Sequence, residues 1–157
     1  MDNAQQAGPG PAETVADAQQ SIVASFEFLE DWTDRYQYLI ELGRRLPPFP
    51  EHERNEANRL HGCQAGVWLV SDYRDGKLHF AATSDSAIVA GLIALLLKVY
   101  SGRRPDQVLA ASPAFIDEIG LGQHLSQHRA NGLSLMLARI RALATAQASG
   151  SFAEGSA

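Results

Sequence analysis

Cys63 is the residue whose chemistry stands out first, because it is the only cysteine among 157 residues. It lies in the stretch LHGCQAGVWLV, residues 60–70, between Gly62 and the polar Gln64 at the foot of an apolar run. A thiolate is a strong nucleophile, although a free cysteine with a pKa of about 8.5 is mostly protonated at neutral pH. With no second cysteine for a disulfide or a CxxC pair, Cys63 must react alone or with another protein.

Residues close to Cys63 in the sequence, and one distant arginine, offer help or alternative roles. Arg59, His61 or Arg129 could lower its pKa, and His61, on the same face of an extended chain, could form a Cys/His nucleophile pair. A hydrolase would also need an orienting acid and an oxyanion site, which the sequence does not indicate. A zinc site from His61, Cys63 and a carboxylate such as Asp85 is disfavoured, because a stable site needs three or four ligands and the further ligands here would be weak. The remaining alternative is a small, buried hydrophobic side chain.

Composition limits the classes of protein. A net charge of -5 argues against a broad phosphate-binding surface, so nucleic acid is not an expected partner. The longest apolar run, residues 87–97, is shorter than the roughly 20 residues that span a membrane, and the first residues lack the features of a secretory signal. We therefore expect a cytoplasmic protein, where a lone thiol stays reduced.

The chain is long enough for one domain with a substantial core. Residues 1–14 and 147–157 are rich in small and polar residues, and both predict disordered tails around a working domain of residues 15–146.

The elements that must position Cys63 can be read from hydrophobic periodicity and from turn signals. Asp31 is predicted to cap a helix that ends at LPPFP, and RDG predicts a hairpin between residues 60–73 and 77–82, with a third short strand at residues 59–62. Ser84 is predicted to cap a buried helix over residues 85–100. Two short helices should begin at Pro105 and Pro113, the second capped by Ser112. A long final helix should carry one apolar stripe: Leu133, Met136, Leu137, Ile140 and Leu143. This order indicates an α+β fold in which a small antiparallel three-stranded sheet packs against several helices.

Four segments in this order resemble the SufE family of sulfur acceptors: DWTDRYQYLIELGRRLPPFP, NRLHGCQAGVWLV, SDSAIVAGLIALLLKVYSG and LGQHLSQHRANGLSLMLARIRALA. The resemblance covers about residues 26–144 and implies a SufE/IscU-like fold. It also implies that a cysteine desulfurase of the SufS or CsdA type transfers a sulfane sulfur to Cys63 as a persulfide and is stimulated by the transfer. The sulfur would then pass to an Fe–S cluster scaffold.

The resemblance implies no cofactor and no metal in this chain, since pyridoxal phosphate belongs to the desulfurase. It also implies that the protein is a covalent sulfur acceptor and an activator of the desulfurase, and not an independent catalyst. The single cysteine agrees, because Fe–S clusters are held by several thiolates and a second thiol nearby would discharge a persulfide. Two alternatives stay open: the same carrier chemistry feeding another sulfur-transfer pathway, and a thiol enzyme that uses Cys63.

The resemblance assigns further roles to residues around the acceptor cysteine. His61, Gln64 and Arg129 would support Cys63, and Asp85 and Arg129 would contact the desulfurase. The chain departs from the family at Ala65 and Gly66, where Ser-Gln is common. Because glycine is the most flexible residue, we expect Gly66 to loosen the cysteine loop.

Overall fold

The computed structural model describes residues 13–156, with side chains through residue 150. Within this range the chain forms seven α-helices and a two-stranded antiparallel sheet, which confirms the α+β class. The elements in chain order are α1 (Val15–Glu27), α2 (Trp32–Arg44), 3-10 turns at Glu51–Glu53 and Glu56–Asn58, β1 (Val67–Arg74), β2 (Lys77–Ser84), α3 (Ala87–Tyr100), α4 (Pro105–Ala110), α5 (Ala114–Glu118), α6 (Leu121–His124) and α7 (Gln127–Ser156). No helix in the described range is long and apolar enough to cross a membrane.

The hairpin follows the Asp-Gly signal. Val67 pairs with Ser84 and Arg74 pairs with Lys77, so that only two residues form the turn. Asp75 and Gly76 both have positive φ, 55° and 76°, as the type I′ turns of tight hairpins require. The predicted hairpin is therefore confirmed, although β1 begins at Val67 and not at residue 60.

The predicted third strand is wrong. Arg59 forms only an isolated bridge with Trp68, and the N–H of Leu60 donates to the carbonyl of Val67 at 2.8 Å. Two residues later Gly62 adopts a φ of +98°, which lies outside the extended region, so a strand cannot continue through this position.

Helix α3 is the centre of the core. Eight of its residues are buried: Val89, Gly91, Leu92, Ile93, Leu95, Leu96, Val99 and Tyr100. The helix begins two residues later than predicted, because the Ser86 hydroxyl, and not that of Ser84, accepts from the N–H of Val89. The hydroxyl of Ser84 is engaged elsewhere, since it donates to the carbonyl of Gly66 at 2.7 Å.

Helix α2 lies unusually close to α3. A Cβ on Gly91 would lie 2.2 Å from the carbonyl oxygen of Leu39, and a Cβ on Gly43 would lie 2.8 Å from the Cβ of Ala90. The two glycines therefore permit a contact that larger residues would prevent. At the start of α2, the carboxylate of Asp31 accepts from the N–H of Asp34, which confirms the predicted cap.

Helices α1 and α7 also pack against α3, and α4 packs against α7. Helix α4 has Pro105 in its first turn, as predicted, whereas α5 has Pro113 as its cap residue and the Ser112 hydroxyl accepts from the N–H of Ala114. On α7 the predicted stripe is buried at Leu133, Met136 and Ile140 and partly buried at Leu137 and Leu143.

The final helix continues past residue 146, where the sequence places the end of the domain, to Ser156. Of the predicted N-terminal tail, residues 1–12 lie outside the described range, and Thr14 caps α1.

Candidate functional site around Cys63

Cys63 occupies a short loop that is held at both ends. On one side, Leu60 is bonded through its N–H to Val67. The turn at Gly62 then lies against α7, since a Cβ built on Gly62 would be 3.1 Å from Cδ1 of Leu135. Cys63 itself is partly buried. The loop therefore presents the thiol towards the body of the protein.

The other end of the loop is fixed at Gly66. Its N–H donates to the carboxylate of Asp85 at 2.9 Å, and its carbonyl accepts from the N–H of Asp85 at 3.2 Å and from the Ser84 hydroxyl. A Cβ on Gly66 would lie 2.6 Å from the Asp85 carboxylate and 2.6 Å from the Trp68 ring. Gly66 is thus tightly packed and hydrogen-bonded, so the expectation that it loosens the loop is wrong.

A cavity of about 340 Å³ adjoins the thiol. It is lined by the cysteine loop, by the start of β1 and by the first turns of α3 and α7, and it is open to solvent on one side. Its lining residues are Cys63, Gln64, Ala65, Val67, Ser86, Val89, Ser126, His128, Arg129 and Gly132. Both helices begin at the cavity with a serine, since the Ser126 hydroxyl accepts from the N–H of Arg129 at 3.3 Å and Ser86 caps α3.

Burial raises the pKa of the Cys63 thiol, and the guanidinium of Arg59 opposes part of this rise. Arg59 is held beside the loop by its bridge to Trp68 and by a cation–π contact in which its guanidinium carbon lies 5.6 Å from the Trp68 ring centre. Arg54 approaches the same ring at 4.4 Å. The resting thiol is therefore mostly protonated at neutral pH, as the sequence leads one to expect for an unassisted cysteine.

The structure places the predicted site residues in three different environments. Gln64 and Arg129 line the cavity with Cys63. Asp85 is bonded to Gly66 at the end of the loop. His61 lies outside the cavity lining, where its Nε2 is 3.2 Å from the Glu56 carboxylate and its side chain is 67% exposed.

Sequence reasoning did not assign roles to several cavity residues, among them Ser86, Ser126, His128 and Gly132. The serines carried a usable signal, because serine before an apolar helical run is a typical N-cap. Gly132 carried a weaker signal, since glycine inside a helical pattern costs stability and often marks a close approach. In the structure it is buried, and a Cβ built on it would lie 3.8 Å from the Cys63 sulfur.

Among the residues that the structure describes, no group of three histidine, cysteine or acidic side chains is placed to hold a metal ion. Chemically, the arrangement offers one partly buried nucleophilic sulfur beside a cavity large enough for additional atoms. Such a site is suited to forming a covalent bond to the sulfur and to holding the added atoms in a partly sheltered position.

Comparison with known proteins gives the same family that the sequence segments resemble. The SufE profile, described as an Fe-S metabolism associated domain, matches residues 20–144. A SufE-like protein of Rhizobium meliloti is 44% identical over 125 residues, which cover 76% of this chain and 89% of the relative. A SufE-like protein of Rhizobium etli is 44% identical over 126 residues, which cover 76% of this chain and 84% of that protein.

A solved structure supports the fold. The solution structure of a hypothetical protein from Thermus thermophilus matches with a TM-score of 0.69 at 25% identity, covering 84% of this chain and 96% of the other. The residues matched by the SufE profile include the cysteine loop, both strands, α3 and the part of α7 that lines the cavity. With the family profile spanning most of the chain and two relatives at 44% identity, this protein belongs to the SufE family.

Proposed function

We propose that the protein accepts a sulfane sulfur from a cysteine desulfurase as a persulfide on Cys63, stimulates that desulfurase, and passes the sulfur to an Fe–S cluster scaffold. It acts in the cytoplasm as a covalent carrier and activator, and the pyridoxal phosphate of the overall reaction stays on the desulfurase. Membership of a family associated with Fe–S metabolism supports this assignment.

The transfer is an exchange between a persulfide and a thiol. The Cys63 thiolate attacks the outer sulfur of the desulfurase persulfide, the S–S bond of that persulfide breaks, and the desulfurase cysteine leaves as a thiolate that takes up a proton. One S–S bond forms and one breaks, so no external oxidant or reductant is needed. Removal of the sulfur frees the desulfurase cysteine for another cycle, which explains the expected stimulation.

The observation that carries the proposal is the position of the only cysteine of the chain, beside a cavity of about 340 Å³. A cavity of this size leaves room for an added sulfur atom next to the thiol. The raised pKa of Cys63 favours the less reactive thiol in the resting state. A carrier needs one acceptor sulfur and limited reactivity with other thiols.

The thiol-enzyme alternative gains no support from the histidine on which it depended. His61 faces Glu56 and not the cavity. The other alternative, the same carrier chemistry feeding a different sulfur-transfer pathway, shares the acceptor step and differs only in the recipient.

The experiment is a direct mass measurement. The protein is incubated with free cysteine and the cognate desulfurase, and its intact mass is followed for the addition of sulfur. We expect an added sulfur on the wild-type protein and none on Cys63→Ser, because a hydroxyl oxygen cannot hold a sulfane sulfur. The control is Ser71→Ala, a substitution on the exposed surface of β1 away from the cavity. Full stimulation of the desulfurase by Cys63→Ser would contradict the proposal.

A further inference from the structure

Gly132 lies beside the Cys63 sulfur in the lining of the cavity. It lies in the second turn of α7, one turn after Arg129, and it is buried. A Cβ built on Gly132 would lie 3.8 Å from the Cys63 Sγ, and apart from its own helix no other heavy atom would come within 4 Å. The missing side chain of Gly132 therefore leaves an unfilled volume directly beside the reactive atom.

We infer that this volume holds the outer sulfur of the Cys63 persulfide, and that Gly132 is a specificity-determining residue which lets the site accept a persulfide as well as a thiol. The inference rests on the proposed function and names how the same site accommodates its cargo. It assigns no chemical step to Gly132, which acts by having no side chain.

The distances make the effect selective. A separation of 3.8 Å between Sγ and a Cβ is an ordinary van der Waals contact, so alanine at position 132 fits beside the thiol. A persulfide extends about 2 Å further from Sγ. An outer sulfur that points at Gly132 would then overlap with the methyl group of alanine, and protein interiors tolerate such overpacking poorly.

Gly132 is an unfavourable residue for the helix in which it lies. Glycine inside a helix is less favourable than alanine, so position 132 carries a residue that disfavours its own helix. Folding gains nothing from glycine here, since the structure has room for a Cβ next to the thiol. The need for space beside Cys63 for an added atom explains why glycine occupies position 132, whereas the stability of the fold does not.

The test compares Gly132→Ala and Gly132→Ser with the wild type and with Gly150→Ala. Gly150 is the matched control, because it lies in the same helix and a Cβ there meets nothing within 4 Å. Each protein is treated with inorganic polysulfide, whose terminal sulfur is transferred when the Cys63 thiolate attacks and a polysulfide shorter by one sulfur leaves. Intact mass then gives the loaded fraction, and its decay in reduced glutathione gives the lifetime of the persulfide.

We expect Gly132→Ala to fold with a melting temperature at or above that of the wild type, because its Cβ fits beside the thiol and alanine favours a helix more than glycine does. The loaded fraction or the persulfide lifetime should fall by about tenfold or more, the range that overpacking energies imply. Gly150→Ala should behave as the wild type. Loading and retention by Gly132→Ala equal to those of Gly150→Ala would overturn the inference.

A comparison of the thiol and persulfide forms covers the case in which a variant is less stable than expected. Wild-type protein should melt at nearly the same temperature in both forms, whereas Gly132→Ala should melt lower as the persulfide than as the thiol. An equal difference in the two proteins would also overturn the inference. Failure of the wild type to receive sulfur from a desulfurase would instead count against the proposed function, because polysulfide loads Cys63 without that enzyme.

Discussion

Asp85 and Gly66 are joined by hydrogen bonds in both directions. The carboxylate of Asp85 accepts from the N–H of Gly66 at 2.9 Å, and the N–H of Asp85 donates to the carbonyl of Gly66 at 3.2 Å. This reciprocal pair connects the end of the cysteine loop to the residue just before the cap of α3. It gives Asp85 a structural role beside the contact with the desulfurase that the family resemblance implies.

Removal of the Asp85 carboxylate should release the loop. We expect Asp85→Ala to speed alkylation of Cys63 in the free protein and to lower the free energy of unfolding by about 1 kcal/mol, because one hydrogen bond is lost at a partly exposed site. The control is Asp72→Ala, which removes an exposed carboxylate bonded to Arg74 on the hairpin. Equal alkylation rates in the two variants would show that Asp85 does not hold the loop.

Asp85→Asn separates the two roles of this residue. The amide oxygen of asparagine still accepts from Gly66 while the negative charge is removed. We expect an unchanged alkylation rate and a higher half-saturating concentration in the desulfurase assay, since charges at an interface steer association. An unchanged half-saturating concentration would leave Asp85 with the loop role alone.

Gly66→Ala should act through Asp85. The new Cβ would lie 2.6 Å from the carboxylate, which must move away and give up its bond to the loop. We expect a destabilisation of about 1–3 kcal/mol, typical of overpacking. Because both substitutions disrupt the same contact, the double variant with Asp85→Ala should be less destabilised than the sum of the two single effects. Strictly additive unfolding energies from chemical denaturation would contradict this coupling.

Arg59 should determine part of the pH dependence of Cys63. The burial of Cys63 raises its pKa and Arg59 lowers it, so Arg59→Gln should shift the midpoint of the alkylation rate to higher pH. Arg54→Gln is the control, since Arg54 contacts the same Trp68 ring but is not a cause of the pKa shift. Equal midpoints in the two variants would exclude a direct effect of the Arg59 charge.

The same raised pKa predicts the direction of a stability effect. A folded-state pKa above the unfolded value means that the neutral thiol is favoured by folding. This contribution is present below the pH at which the unfolded thiol ionises and is lost as the pH rises through the folded value. We therefore expect wild-type protein to lose more stability in this alkaline range than Cys63→Ser does, as measured by denaturant titrations at several pH values.

Docking of the desulfurase should change the exposure of Cys63. The thiol is partly buried in the free protein, so its alkylation should be slower than that of a model peptide. Addition of a desulfurase whose own cysteine has been replaced should speed the reaction, because the proposed transfer requires the loop to expose the thiol. Labelling of the free protein at the rate of the peptide would contradict sequestration.

Local signals in the sequence were sufficient for several elements. Asp-Gly at residues 75 and 76 predicted the hairpin, and Asp31 predicted the start of α2, because turn and cap chemistry depend on neighbouring residues. The prediction of a third strand was wrong for a local reason as well. Gly62 has a left-handed backbone conformation, which the composition of the segment does not reveal.

The candidate site was only partly predictable. Cys63 could be identified from its chemistry alone, and Gln64 adjoins it in the sequence. The wall formed by Ser126, His128 and Gly132 comes from a helix distant in the chain, and no local pattern states which face of that helix meets the cysteine. Gly66 was misjudged for a related reason, because its rigidity comes from Asp85 and Trp68 and not from its own flexibility.

The two attachments of the cysteine loop limit how far the sulfur can travel. Leu60 is hydrogen-bonded to Val67, and Gly66 is hydrogen-bonded to Asp85. Cys63 therefore lies three residues along the chain from each of these two attached residues. Even a fully extended tether of three residues reaches only about 10 Å. If Cys63 carries sulfur as proposed, it cannot deliver that sulfur across a wide gap, and the groups that donate and receive it must both come within this reach.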